Sequence, residues 1–336
     1  MQKKIIALAI AAAFAAPVAM AADGVTVYGS VDAGLQSRTT QGPAGATSNT
    51  MGSEVYNSNR FGIKSEEDLG DGMKATTQIE TGFNTATGDA ATVGSRGIGV
   101  GISSGDHAVV LGGNQYSTSF KVINTYDPLG YKFLGVTGAS SIAIAGRHDS
   151  DIAYTGKFGD ITVMANKAMG TAGDDSSSNA AVGATFKSGP INAGAAYSTA
   201  KPAVGSEASV TQMTVGAGFN FGDGSVMAGY ATMTTKGASA AMENAKRNNM
   251  WVGASFNMSS KIGLLAGYYK TATTASVAVG ATQNEATDVR MVVGGTYSLS
   301  KRTKFYAEAD RKTTNAGGAA SDVVESGYAL GLSTTF

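Results

Sequence analysis

Not one of the 336 residues is cysteine, and only 5 are proline, 2 histidine and 1 tryptophan. The missing cysteines exclude disulfides, zinc ribbons and thiol catalysis. Two histidines leave little for a transition-metal centre. No sign of charge is in excess: 25 basic residues meet 25 acidic ones, so nothing argues for a nucleic-acid partner. Past the first residues, no apolar run is long enough for a spanning helix. No three-four helical spacing is sustained either. What abounds is glycine, 46 residues of it. Many glycines with few prolines suit numerous strands and tight turns better than a flexible linker.

The first residues stand apart. MQKKIIALAIAAAFAAPVAMAAD carries Lys3 and Lys4, an apolar stretch from Ile5, and Ala19-Met20-Ala21. This layout predicts a secretory signal peptide over 1–21, cleaved after Ala21, leaving one domain over 22–336. A short membrane helix fits less well, because Pro17 interrupts the stretch. Without Lys3 and Lys4 the mature chain is slightly acidic.

The rest keeps a period of two. GVTVYGSVDAGL (24–35) sets Val25, Val27, Val31, Ala33 and Leu35 on one face and Thr26, Ser30 and Asp32 on the other. MKATTQIETGFN (73–84), TQMTVGAGFNF (211–221), NNMWVGASFNM and RMVVGGTYSL repeat the pattern. In KRTKFYAEADRK the polar face is charged: Arg302, Lys304, Glu308, Asp310 and Lys312. YALGLSTTF (328–336) alternates up to its last residue. The joints alternate in length. Seven are short and rich in turn residues, such as Gly159-Asp160 and Gly222-Asp223-Gly224. Eight are long, near 36–58, 85–95, 114–134, 170–178, 200–210, 236–246, 272–287 and 313–324. Fifteen joints connect sixteen strands.

A soluble sandwich also uses many strands, but its dry interior would have to pair the Lys, Glu, Asp and Arg of these polar faces at high cost. A closed barrel in lipid turns them to water and satisfies every backbone group. Short turns on one side and long loops on the other are the outer-membrane arrangement. The reading is therefore all-β: a transmembrane 16-stranded antiparallel β-barrel with short periplasmic turns and long extracellular loops. Its last strand, 328–336, pairs with its first.

At this point the residues also resemble a known family, the general diffusion porins of Gram-negative outer membranes. GVTVYGSVDAGL resembles the family's first strand, and RFGIKSEEDLGDGMKATTQIETGFN (60–84) its second hairpin, the most specific match. SRGIGVGISSGDHAVVLGGNQYS resembles the next hairpin, TYDPLG the start of an inward-folded third loop, and YALGLSTTF the closing strand. The resemblance implies a homotrimer in outer-membrane lipid, each barrel with its own water-filled pore narrowed by the third loop. It also implies that Phe336 belongs to the signal read by the outer-membrane assembly machinery, and that a loop near 85–95 contacts a neighbouring subunit.

The same resemblance places pore-wall arginines at Arg60, Arg96 and Arg147. Alternation agrees for Arg60 and Lys64, since Phe61 and Ile63 face out. With Ile152 and Tyr154 outward, Arg147, Asp149 and Asp151 face in. Arg96 shares a face with Ile98, Val100 and Ile102, so either a bulge follows it or that strand is buried between subunits. Ser30 and Asn114 stand where relatives carry basic residues. The third loop, about 114–134, offers one carboxylate, Asp127, and adds Lys121 and Lys132. The expected constriction is thus Arg60, Arg96, Arg147, Lys64 and Lys132, with Asp127. It predicts a wide pore of mild anion preference, opposed by lumen carboxylates at Asp32, Glu80, Asp149, Asp151, Glu308 and Asp310. Simple solvation of the wall by these charges is the competing reading.

Other signals carry less. His148-Asp149-Ser150 holds the letters of a hydrolase triad, but adjacent strand residues alternate faces and do not converge. Gly97, Gly99 and Gly101 mark a strand face, not a phosphate loop. GDDSSSN (173–179) reads as a solvated loop before it reads as a calcium site at Asp174 and Asp175. Trp251 points to the lumen by parity. The expected function is passive diffusion of ions and small hydrophilic solutes across the outer membrane, without enzyme activity, metal or cofactor. The alternatives are a channel selective for sugars or organic anions, and an outer-membrane barrel enzyme.

Overall fold

The computed structural model describes residues 24–41, 45–133, 146–169, 178–201, 209–237, 239, 241–317 and 322–336. The predicted signal peptide and residues 173–177 of GDDSSSN, with Asp174 and Asp175, lie outside them. Strands follow in the order β1 (Gly24–Gln41), β2 (Ala46–Ser53), β3 (Arg60–Gly70), β4 (Met73–Thr81), β5 (Gly97–Ser104), β6 (His107–Gly113) and β7 (Gln115–Tyr116). Then come α1 (Thr118–Tyr126), β8 (Arg147–His148), β9 (Asp151–Phe158), β10 (Ile161–Ala168), β11 (Asn179–Ser188), β12 (Ile191–Ala200) and β13 (Val210–Phe221). The chain finishes with β14 (Gly224–Thr235), β15 (Ala245–Asn257), β16 (Ile262–Thr274), β17 (Glu285–Ser298), β18 (Thr303–Asn315) and β19 (Val323–Thr335).

Every neighbouring pair in the large sheet is antiparallel, and β1 pairs with β19 from Ser30 opposite Thr335 to Gln41 opposite Val324. The sheet is therefore closed. The β2 and β3 segments are two pieces of one span, since β1 pairs with β2 along 33–40 and with β3 along 24–30. Counted so, the barrel has 16 strands. Phe336 completes the seam: its N–H and carbonyl exchange 3.1 Å bonds with Gly29. Its ring lies where a Cβ on Gly29 would sit, 2.4 Å from the nearest ring carbon. A side chain at position 29 would displace that ring.

Alternation has the polarity expected of a barrel in lipid. Outward residues such as Val100, Ile102 and Leu330 are exposed, whereas inward Ser30, Asp32 and Glu308 are buried. Exposed phenylalanines gather at the short-turn ends: Phe158, Phe186, Phe221, Phe256, Phe305 and Phe336. This is an interfacial aromatic girdle. The flank from β3 to β6 has none of it except Phe61. Its outward residues are Ile63, Ile79, Ile98, Val100, Ile102, Val109 and Leu111.

All seven short turns fall where the sequence places them. The long joint at 36–58 needs correction: most of it is strand, since β1 runs to Gln41 and β2 spans Ala46–Ser53. Polar alternation, with Met51 as the single large apolar residue over 36–41 and 46–53, hid this extension.

Between β6 and β9 the chain leaves the wall and enters the lumen. Here the structure adds a helix that the sequence reading missed. In α1, the Ser117 hydroxyl accepts from the Phe120 N–H at 3.2 Å, an N-cap. Val122, Ile123 and Tyr126 are buried. Nine residues are too few for a sustained three-four pattern, and the cap serine was the only local sign. The helix lies on a lane of small inward residues. A Cβ on Gly216 would come 2.6 Å from the Tyr126 Cβ, and one on Gly183 would come 2.8 Å from Thr118. Beyond the helix, Pro128, Leu129 and Phe133 lie equally close over Gly253, Gly267 and Gly294. These five glycines thus make room for the loop.

Candidate channel constriction

Two inward-folded segments meet in the lumen. One is the third loop. The other is 54–59, the break between β2 and β3. Glu54 takes a left-handed φ of 59°, and its carboxylate accepts from the Asn59 N–H at 2.8 Å. Side chains replace the ladder across the gap: Asn59 Oδ1 accepts from the Asp32 N–H at 2.5 Å, and Thr85 Oγ1 donates to the Asp32 carbonyl at 2.7 Å. The Asp32 carboxylate accepts from the N–H groups of Tyr56 and Asn57, both at 3.2 Å, and from the Tyr306 hydroxyl at 3.0 Å. Tyr56 stacks on Tyr306 with ring centres 5.2 Å apart. The segment is thereby held in the lumen. It joins the third loop where the Phe133 N–H donates to the Tyr56 carbonyl at 3.1 Å.

Around this junction the cations collect. Arg60, the first residue of β3, donates to Asn57 Oδ1 at 3.3 Å and to the Ser58 carbonyl at 3.3 Å. Lys132 Nζ donates to the same Asn57 Oδ1 at 2.5 Å. Lys132 and Lys304 each lie 5.7 Å from the Tyr56 ring centre. Among the described residues, no carboxylate lies within ion-pair distance of Arg60, Lys132 or Lys304. Burial pushes the Lys132 ammonium down to about 8, and the charges of Arg60 and Lys304 push the same way. The Asp32 carboxylate opposes this shift without cancelling it, so like charges still crowd here.

Arg96 and Arg147 form a second group. Arg96 precedes β5, and Gly97 turns the chain after it with φ of 153°. The face shared by Ile98, Val100 and Ile102 begins only beyond that turn, so Arg96 is not on it. Its Nε pairs with Glu80 Oε1 at 2.9 Å. Arg147 is carried by β8, which pairs with β7 and not with the wall, so the parity argument from Ile152 does not apply to it. Its guanidinium stacks on the Tyr116 ring at 3.6 Å and donates to the Asn114 carbonyl at 2.8 Å. Asp149 likewise belongs to this loop and accepts from the Asn114 N–H at 3.2 Å. Lys64 stands nearer the short-turn end, 5.9 Å from the Tyr28 ring centre.

Asp127 does not face the channel. It closes α1 and is 2% exposed, accepting from the Tyr269 hydroxyl and the Tyr131 N–H at 2.5 Å each. Burial raises its pKa despite these bonds. Its carboxylate is spent on ordering the turn, so between Thr118 and Phe133 no acid of the loop stands beside Lys121 and Lys132 on the channel side. Trp251 does face inward, and its indole N–H donates to the Tyr126 carbonyl at 2.8 Å.

Toward the long-loop end the wall is different. Arg38 pairs with Asp310 at 3.1 Å and lies 3.9 Å from Glu308, while Arg290 meets Asp310 at 3.2 Å. Lys312 pairs with Asp288 at 3.3 Å. Sequence reasoning listed Lys304 among inward charges but did not bring it to the constriction. It missed Tyr56 and Asn57 altogether, because they lay in a supposed surface loop.

A family model described as Gram-negative porin matches residues 7–317. The chain belongs to that family. Its localisation is the outer membrane. Among curated relatives, the outer membrane porin protein of Bordetella pertussis is 29% identical over 175 residues, covering 46% of this chain and 44% of that protein. Major outer membrane protein P.IB of Neisseria gonorrhoeae is 43% identical over 89 residues, covering 26% of this chain and 24% of that one. The matched part thus spans less than half of either relative. The solved anion-selective porin from Comamonas acidovorans shares the fold with a TM-score of 0.78 at 22% identity, over 94% of this porin and 100% of that chain.

Proposed function

We propose that this porin is a passive outer-membrane channel for ions and small hydrophilic solutes, with a mild preference for anions. One observation carries the preference. Arg60, Lys132 and Lys304 converge without a carboxylate partner, while Asp32, Glu80 and Asp127 are buried and bonded. A permeating ion therefore meets the cations directly, while the nearest carboxylate, Asp32, is buried and bonded to backbone N–H groups and the Tyr306 hydroxyl. In water a unit charge about 6 Å away is worth roughly 0.7 kcal/mol. That suffices for a several-fold bias and not for exclusion.

The channel works as a homotrimer in lipid. The aromatic-poor flank from β3 to β6 supports this, since a wall covered by protein needs no interfacial girdle. Phe336, bonded into the seam with Gly29, is the residue offered to the assembly machinery. The family and fold are those of a channel, and diffusion needs no catalytic group, metal or cofactor.

Reconstitution of the purified protein into planar bilayers tests the reading. Ohmic conductance steps in groups of three are expected, with a reversal potential displaced toward chloride in a salt gradient. Small saturable currents would favour a substrate-selective channel, absence of current an enzyme, and cation preference would overturn the anion assignment.

A further inference from the structure

The geometry points to Asn57 as the specificity-determining residue of the constriction, and to the inward segment 54–59, bonded to the third loop, as part of its wall. The inference rests on the channel reading above. Its basis is one atom. Asn57 Oδ1 accepts from both Arg60, at 3.3 Å, and Lys132, at 2.5 Å. A single neutral acceptor therefore holds two like charges together, one from the barrel wall and one from the third loop. An amide oxygen bonds both donors and neutralises neither.

The segment is built so that this side chain is free for the task. The backbone at 56–57 is held by Asp32, through its bonds to the N–H groups of Tyr56 and Asn57. The break in the span is bridged by Asn59 and Thr85. Val55 is fully buried and Tyr56 is stacked on Tyr306. None of these anchors uses the Asn57 side chain, whose described bonds all go to the two cations. Its identity is thus separable from the fold. An aspartate there would set a negative charge between Arg60 and Lys132 and pair both. An asparagine leaves the net field positive. The choice of amide over acid at this position decides what a passing ion encounters.

The absence of native cysteine makes the test direct. Asn57→Asp should retain conductance steps while lowering the chloride-over-potassium permeability ratio about threefold. Asn57→Cys should assemble as the native channel does, since the anchors remain, and then be labelled in the open pore. A sulfonate-bearing thiol reagent should lower the ratio by a similar factor. Its trimethylammonium counterpart should not. A purely structural role would give the two reagents the same effect. Failure of the thiol to react, or reversal potentials unmoved by either charge, overturns the proposal while the unmodified protein still conducts. If the unmodified protein passes no current, the channel reading itself falls, and this inference with it.

Discussion

The lumen holds two cationic regions that a count of charges would treat alike. Toward the long loops, Arg38 and Arg290 converge on Asp310, with Glu308 beside them, and Lys312 meets Asp288. At the narrowing, Arg60 and Lys132 share the amide of Asn57, and Lys304 stands across the Tyr56 ring. The first region is close to neutral. The second is not. What separates them is where the acids went. On the long-loop wall they face the arginines. At the narrowing, Asp32 and Asp127 have turned away to hold backbone N–H groups and tyrosine hydroxyls. Selectivity in such a channel follows from the placement of the carboxylates more than from their number.

The contrast breaks most sharply at Lys132. Lys132→Glu changes the local charge by two, and the chloride-over-potassium ratio should fall about tenfold, reversing the preference. Reversal potentials in a potassium chloride gradient read this out. Titration comes next. Because the Lys132 ammonium is pushed down to about 8, it is charged below that pH and neutral above it. Raising the pH from 7 to 9 should therefore lower the anion preference about threefold, and Lys132→Arg should abolish the step. The smallest effect belongs to the paired wall. Replacing Arg290 and Asp310 together, as Arg290→Gln with Asp310→Asn, removes a pair and leaves the net charge unchanged. The reversal potential should stay within error of the native value. A large shift there would mean that the long-loop wall, and not the narrowing, governs passage.

Much of the barrel was legible because one rule governs it. A period of two with opposite polarities on its two faces dictates strand, closure and orientation together, so β3 to β6, β9 to β19 and the seam at Phe336 could be read directly. The narrowing was legible only in part. Arg60 and Lys132 were named from position and charge, and the structure brings both to Asn57. Asp127 was placed on the wrong surface, because nothing local distinguishes a helix-ending acid from a channel acid. Arg147 reached the lumen by a route that parity does not describe, on the short β7–β8 ribbon. Tyr56 and Asn57 were lost because an interrupted strand has no periodic signature. The bonds from Asp32, Asn59 and Thr85 that define the interruption join residues up to 53 positions apart. Side-chain bonds of that reach leave no trace in a window of neighbouring residues.

The glycine lane beneath the third loop has a mechanical consequence. Gly183, Gly216, Gly253, Gly267 and Gly294 let the loop sit against the sheet with no intervening side chain to compress or swing aside. A loop seated so closely can lift off the sheet only by surrendering these contacts together, and any bulkier residue in the lane would prise it toward the axis.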